Sequence, residues 1–390
     1  MVDLNGSIQN HEKELVSSDL LQSISTQYDD TYFVIPLSKL ESVLNQLNSN
    51  LANKGAPFTT VTLENIQKKD SVNLQANLII GSKDRRNINN VVIKGYSKFP
   101  RSFVKYFLKI EAAQSFSLNQ LKKKTKKLDN LLFANQIKPP EVLFTKDSTT
   151  VYLYLEKTKS NTFDGFLGFG NNEISKKIVF DGYLNLNLTN NLNFGEQFKL
   201  LYKSDENSQK TFDLKLSMPY LLGTPIGTEF DLNIFKKDSS FTTASQNLKI
   251  FYQINSKHKI AAGVRSIASN NLLANSGELM LNDYNTFYYD LTYHYKKFNS
   301  YDFLFPNNFE ILTSAGIGQR KTTNQNINQV ELKFNVSKIF NLDNKNSLYV
   351  NSNYQALLSN NYFTNELFRF GGINSIRGFE ENSIEANALG

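Results

Sequence analysis

Three histidines, His11, His258 and His294, are the first candidates for acid–base or metal chemistry, and they lie far apart in sequence. The stretch "HEKE" at His11 begins like the H-E-x-x-H pattern of zinc proteases but has no second histidine. His294 falls on the polar side of an alternating run, where a solvated imidazole is the simpler reading. Glu380 and Glu381 are adjacent, so their carboxylates diverge on a strand or a turn and form no acid–base pair. There is no G-x-S-x-G nucleophile elbow and no P-loop. These residues argue against an enzyme, and no catalytic residue, metal or cofactor is expected. The stretch "FRFGGINSIRGFEENSI", residues 368–384, is of another kind. It has no strand or helix period. Gly371, Gly372 and Gly378 permit tight backbone and close approach to a wall. Arg377 is a planar, permanently charged fork suited to carboxylates. Phe379 can pack beside it and exclude water.

Composition narrows the partners. The 390 residues carry 43 Lys+Arg against 36 Asp+Glu, a formal net charge of +7. The run "KKKTKK" at 122–127 has no interleaved aromatics, so a solvated helix face is favoured over a nucleic-acid patch. Anionic lipid headgroups remain as neighbours. With no cysteine, neither disulfides nor thiolate metal sites hold the fold. Trp is absent while Tyr (19) and Phe (30) are plentiful, so any interfacial aromatic belt must use those two. No apolar run approaches the ~20 residues of a transmembrane helix. The start, "MVDLNGSIQNHEKEL", lacks the basic and apolar regions of a signal peptide. Alone, it reads as cytosolic; the remainder of the chain argues otherwise.

The elements change character near residue 160. Residues 1–30 are polar and weakly patterned. From Pro36, Leu37, Leu40, Leu44, Leu47 and Leu51 mark one helical face, closed by Gly55. Two alternating runs follow, "FTTVTLENI" and "VNLQANLII". The pattern then repeats as a strand ("INNVVIKGY"), a short helix from Pro100 with Phe103, Val104, Phe107 and Leu108, and a second helix in "FSLNQLKKKTKKLDNLLF". Ser117 and Gln120 form its capping-box pattern, and Leu118, Leu121, Leu128 and Leu132 supply its buried stripe. "EVLFTKD" and "TTVYLYLEK" close as a hairpin. This is a βααββ module of about seventy residues, a normal small-domain size.

Beyond Lys159 the helical period vanishes, and about eleven alternating segments follow one another up to "NSLYVNSNYQALLSN". In "NTFYYDLTYHY", Phe287, Tyr289, Leu291, Tyr293 and Tyr295 oppose Thr286, Tyr288, Asp290, Thr292 and His294. In "QVELKFNVS", Val330, Leu332, Phe334 and Val336 oppose Glu331, Lys333, Asn335 and Ser337. A soluble sandwich and a membrane barrel share this local pattern. Strand length, aromatic-rich apolar faces and recurrent Asp, Lys, Asn and Gln on the opposite faces favour the barrel.

"GGINSIRGF" resembles the "GG…(V/I)RGF/Y" signature of BamA/TamA-type outer-membrane assembly proteins, which join POTRA domains to a surface-antigen β-barrel. "VVIKGYSKFPRSFVKYFL" resembles the start of a POTRA domain, "FDGFLGFGNN" the first barrel strand, and "MPYLLGTPIG" the turn after the fourth strand. The resemblance covers most of residues 31–390, and the Lys and Asn richness is similar to Bacteroidetes-type members. It implies an α+β periplasmic POTRA region followed by an antiparallel transmembrane β-barrel, with about the first eleven of about sixteen strands present. The implied domains are a polar remnant (1–30), a partial POTRA-like domain (31–86), a POTRA-like domain (87–159) and a barrel incomplete at its C-terminus (160–390). The chain is then expected to be truncated at both ends. The implied function is assembly and insertion of outer-membrane β-barrel proteins. Its partners are unfolded outer-membrane clients and membrane lipid, with accessory assembly lipoproteins allowed and no nucleic acid. The implied lumen-loop motif is Gly371, Gly372, Ile376, Arg377, Gly378 and Phe379. The implied lateral gate is the first strand, with Phe163, Gly165, Phe166, Gly168, Phe169 and Gly170; its glycines either weaken the strand or accommodate bends. In the family the motif Arg meets acids on later strands, so Arg377 has no identified partner here. Secretion of a partner protein by a related POTRA-barrel transporter is the alternative, and a soluble β-rich binding protein the remaining one.

Overall fold

The computed structural model describes residues 2–3, 18–25, 27–28, 32–71, 73–81, 85–171, 178–204, 209–273, 280–298, 305, 307–343, 345–372 and 375–390. His11 and most of the polar segment 1–30 lie outside them. The chain divides into two compact units, one of residues 1–97, 108–127 and 136–156, the other of residues 98–107, 128–135 and 157–390.

In the first unit, β1 (Val2–Asp3), β2 (Gln27–Tyr28), β3 (Tyr32–Val34), β4 (Thr60–Lys68) and β5 (Leu74–Gly81) form a sheet of order β2-β3-β1-β5-β4. Helices α1 (Ser18–Ile24) and α2 (Leu40–Asn53) supply its core, where Leu20, Leu21, Val43, Leu47 and Leu51 meet Phe33, Leu78 and Ile80. Sequence patterning does not reveal α1, because its Leu20–Leu21 pair is too short to show a period. The stripe expected along α2 holds from Leu40 onward. Leu37 departs from it, lying exposed in the 3₁₀ turn Leu37–Lys39. Gly55 adopts φ +102° just after α2, and Ala56 N–H returns to Leu51 O at 3.1 Å, ending the helix as expected.

A second sheet of order β6-β8-β7 contains β6 (Asn90–Lys94), β7 (Ala134–Phe144) and β8 (Thr149–Lys157), with β6 parallel to β8. β7 starts well before "EVLFTKD", because Pro139 and Pro140 disguise it; an edge strand tolerates them. Helix α3 (Leu118–Thr125) is capped as predicted, Ser117 Oγ accepting from Gln120 N–H at 3.3 Å. Its expected stripe is only half right: Leu121 and Leu128 are buried, Leu118 and Leu132 exposed. A 3₁₀ segment, Lys126–Asn130, follows α3 and changes the residues per turn, so the 3.6 period does not carry through.

The second unit is dominated by one antiparallel sheet in strict sequence order. Its strands are β9 (Thr162–Asn171), β10 (Ile178–Thr189), β11 (Gln197–Ser204), β12 (Lys210–Met218), β13 (Ile226–Lys237), β14 (Phe241–Gln253), β15 (His258–Asn271), β16 (Tyr284–Phe298), β17 (Asn307–Lys321), β18 (Asn326–Asn341) and β19 (Ser347–Leu358). A hairpin, β20 (Phe368–Phe370) and β21 (Ile384–Ala386), precedes a twelfth short strand, β22 (Ala388–Leu389), paired to β19 at Gln355 and Ala356. The sheet is open, ending at β9 on one side and β22 on the other. The segment 98–107 contributes a π-helical turn, Phe103–Phe107, where the sequence suggests a short helix. Phe103 meets Tyr220 edge-on at 4.9 Å, and Tyr106 OH donates to Gly223 O at 2.6 Å.

Candidate functional site: a polar sheet face and the segment folded onto it

The decisive property of the large sheet is the polarity of its two faces. On β16, Thr286, Tyr288, Asp290 and Thr292 are buried, while Tyr289 and Leu291 on the alternate positions are each 64% exposed. On β18, Gln329 and Glu331 are buried while Leu332 and Phe334 are exposed. A water-soluble sheet hides its apolar side. This one hides its polar side and presents Leu, Phe and Tyr outward, the arrangement of strands facing hydrocarbon. At one end of the apolar face, His258 Nδ1 and Tyr293 OH are 2.8 Å apart, and Tyr295 meets Phe309 at 5.3 Å. Lys338 lies over the rings of Phe309 and Phe340 at 5.4 and 4.7 Å. Aromatic rings with a lysine at such a margin suit a membrane–water interface. His294 is on the neighbouring strand to His258 but on the opposite, polar face, with Nε2 2.6 Å from Glu310 Oε1.

The polar face is held by ionic clasps across several strands. Arg265 of β15 donates through Nε to Asp290 Oδ2 of β16 at 2.9 Å and through Nη2 to Glu331 Oε1 of β18 at 2.6 Å. Lys333 Nζ adds a 2.7 Å contact to the same Glu331 oxygen, and the Arg265 guanidinium stacks 4.5 Å over Tyr288. Between these strands, β17 presents Gly316, where a Cβ would lie 2.3 Å from Asp290 Oδ1. The missing side chain lets the clasp pass over β17.

A second set of contacts fixes residues 359–390 against this face. Arg320, fully buried on β17, pairs with the Glu366 carboxylate, hydrogen-bonds Asn361 and lies 4.0 Å over the Phe363 ring. Gln329 Nε2 donates to the other Glu366 oxygen at 3.3 Å, and Gln329 Oε1 accepts from Tyr288 OH at 2.8 Å. Asn365, also buried, donates to Ser269 Oγ at 2.9 Å and to Asn282 O at 2.8 Å. Farther along, Arg369 lies 4.7 Å over both Phe235 and Phe241, and Lys237 Nζ approaches Glu385 Oε1 at 2.6 Å. Lys203 reaches Glu381 at 3.2 Å.

The residues singled out by sequence lie at the tip of this segment. Gly371 and Gly372 have φ of +106° and +96°, and a Cβ on Gly371 would meet Glu380 O at 2.2 Å. Among the described residues nothing lies within 4 Å of where a Cβ on Gly378 would sit, so it makes no close approach to a wall there. Ile376, Arg377 and Phe379 are exposed, and Arg377 forms no ion pair among the described residues. Phe379 therefore does not exclude water, because the tip carries it away from the packed rings; the segment is secured by Arg320 and Arg369 instead. Sequence reading missed Arg265, Asp290, Glu331, Arg320 and Glu366 as a group. The usable signals were charged residues recurring in β-alternating runs, and the Gly316-x-Gly318 pair inside a strand.

The first strand, β9, pairs with β10 without a register shift over ten residue pairs and, among the described residues, has no partner on its other side. Phe163, Phe166 and Phe169 are exposed. Its glycines differ. A Cβ on Gly165 would lie 2.5 Å from Tyr183 O, whereas among the described residues one on Gly168 would meet only Asp181 O at 3.8 Å and one on Gly170 nothing within 4 Å. Tyr183 OH donates to Asp164 Oδ2 at 3.0 Å, Asn187 Nδ2 donates to Thr162 Oγ1 at 3.2 Å, and the Phe166 and Tyr183 rings meet edge-on.

Solved structures share this fold. BamA from Haemophilus ducreyi lacking POTRA domains 1–3 superposes with a TM-score of 0.57 at 14% identity, covering 98% of this chain and 75% of that one. The fold is shared with BamA. CdiB from Acinetobacter baumannii gives 0.54 at 15% identity, covering 99% of this chain and 72% of that one. CdiB from Escherichia coli gives 0.50 at 12%, covering 99% and 73%. No family model matches the chain, and no curated protein matches it by sequence. Among the described residues no helix is long and apolar enough to cross a membrane.

Proposed function

We propose that this chain is an outer-membrane β-barrel assembly protein of the BamA type, of a Bacteroidetes-type lineage, that inserts client barrels without enzymatic chemistry. Residues 160–390 form the membrane part. Residues 31–86 and 87–159 are POTRA-like periplasmic domains that receive unfolded clients, alone or with accessory lipoproteins. The observation that carries this reading is the inverted polarity of the sheet together with its unpaired β9 edge. A lipid-facing sheet must satisfy its backbone groups, so an unpaired edge strand is a template for an incoming strand. The shared fold with BamA supports the same reading. Strand pairing and burial of apolar side chains in lipid supply the driving force, so no nucleotide is required.

The chain contains no cysteine, so single introduced cysteines report without background. With an unfolded outer-membrane protein carrying its own cysteine, Phe169→Cys on β9 should form a disulfide-linked adduct in lipid vesicles. Leu291→Cys, exposed on the same face but on an internal strand, should not. Equal adducts at both positions would remove the template role. The fold is shared nearly as well with CdiB as with BamA, so secretion of a partner protein by a related transporter is the second reading. Under that reading a soluble partner would cross-link to polar-face positions such as Asn247 and not to β9.

A further inference from the structure

We propose that the polar face carries a binding site for an acidic segment of polypeptide, in a cavity bordered by Pro219 and Tyr220; this deepens the client-handling reading and rests on it. The cavity encloses about 520 Å³, within the usual range of ligand sites. Six lysines line it: Lys199, Lys215, Lys249, Lys257, Lys259 and Lys296. Among the described residues only three carboxylates do, Glu229, Asp231 and Glu310. Lys259 takes Glu229 at 2.5 Å, Asp231 stands 4.0 Å from Lys215, and Glu310 is engaged by His294 at 2.6 Å. Among the described residues, Lys199, Lys249, Lys257 and Lys296 form no ion pair.

The ladder makes the excess more pointed. Lys199 and Lys215 are direct partners across β11 and β12, so two like charges face each other on one side of the sheet. Such a pair is destabilising unless something anionic lies between or above it. Elsewhere the same face neutralises its cations, with Arg265 on Asp290 and Glu331, Arg320 on Glu366, and Lys237 on Glu385. The lysine end does so only in part: Lys259 has Glu229 and Lys215 has Asp231 at 4.0 Å, while among the described residues Lys199, Lys249, Lys257 and Lys296 have no ion pair. Its lining also includes the rings of Phe103, Phe107, Tyr220 and Phe251. Those rings are already packed, Phe103 on Tyr220 at 4.9 Å and Lys259 over Phe251 at 5.0 Å, and they give the cavity an apolar wall that a bare small anion would leave uncovered. A polypeptide stretch with Asp or Glu beside apolar side chains satisfies both parts of the lining.

The test uses the full chain in detergent micelles and two fluorescent peptides of alternating Asp and Phe or alternating Asn and Phe. The acidic peptide should bind about tenfold more tightly. The Lys199→Gln/Lys215→Gln variant should lose that preference, and Lys122→Gln/Lys123→Gln, on α3, should keep it. Because the first variant removes a like-charge pair, its unfolding midpoint should stay level or rise, which separates lost binding from lost folding. Equal binding of the two peptides, or an unchanged preference in Lys199→Gln/Lys215→Gln, overturns the proposal. So does saturation of the lysines by inorganic phosphate or by anionic vesicles with no competition from the peptide. Client cross-linking at Phe169→Cys is read in parallel. Intact cross-linking with no peptide preference removes this site alone; intact preference without cross-linking removes the assembly reading alone.

Discussion

The β15–β18 stretch and the β9 edge belong to one sheet but are held by different means. Across β15–β18, buried charges on separate strands pair over the polar face, and residues 359–390 add further buried pairs. At β9 the same backbone ladder carries three exposed Phe rings, and its side-chain ties to β10 are those of Asp164 and Phe166 with Tyr183 and of Thr162 with Asn187. A backbone ladder alone suffices to place a strand, whereas a buried ionic clasp makes its position hard to change. Under the proposed template role one part of the sheet stays rigid while the β9 edge exchanges partners, and that role needs this asymmetry.

Breaking the rigid part should have the largest effect. Arg320→Ala leaves the Glu366 carboxylate buried and unpaired, and should lower stability by about 3–5 kcal/mol, read as the urea midpoint in lipid vesicles. Next, Gly316→Ala pushes a methyl into Asp290 and should cost about 1–3 kcal/mol by the same measurement. At the β9 edge the glycines should separate. Gly165→Ala clashes with the Tyr183 carbonyl and should also cost about 1–3 kcal/mol, whereas Gly170→Ala should stay within about 0.5 kcal/mol. A large loss at Gly170 would mean that β9 is packed as tightly as the clasped strands. The smallest effect is expected from an exposed ion pair. The hydrogen bond from Lys138, and then that from Tyr154, hold the Glu141 carboxyl below its ordinary range. A depressed carboxyl stabilises the fold above its unfolded pKa, about 4.3, and that contribution disappears as pH falls through the folded value. Glu141→Gln should therefore flatten the acid limb of the stability profile and leave the neutral-pH midpoint nearly unchanged.

Much of the architecture is legible from side-chain period. The switch from a 3.6-residue to a two-residue repeat falls near residue 160, and the faces of β16 and β18 divide as the alternation indicates. Where the period is interrupted, legibility ends. The 3₁₀ segment after α3 takes Leu132 out of its stripe, and the prolines of β7 conceal a strand. Alternation also cannot say which face is buried; only the packed sheet does. The site is legible as a segment and not as a set of partners. "GGINSIRGF" marks the tip, yet Arg320 and Glu366 are brought together by strand register, which local patterning does not encode. Arg265, Asp290 and Glu331 are distant in sequence for the same reason.

The two sheets also set different schedules for folding. In the β6-β8-β7 sheet, the parallel pairing sets Asn90 opposite Thr150, so the central strand has no complete site until the whole intervening chain has been made and looped back. Loop closure of that length precedes any reward from the contact. In the large sheet each strand pairs with the one just before it, from β10 against β9 through β19 against β18. That sheet can lengthen hairpin by hairpin as chain arrives, and an interruption leaves a shorter sheet instead of none. Native-state hydrogen exchange should accordingly find the β6–β8 pairing lost as a single cooperative unit, while the large sheet frays strand by strand from an edge.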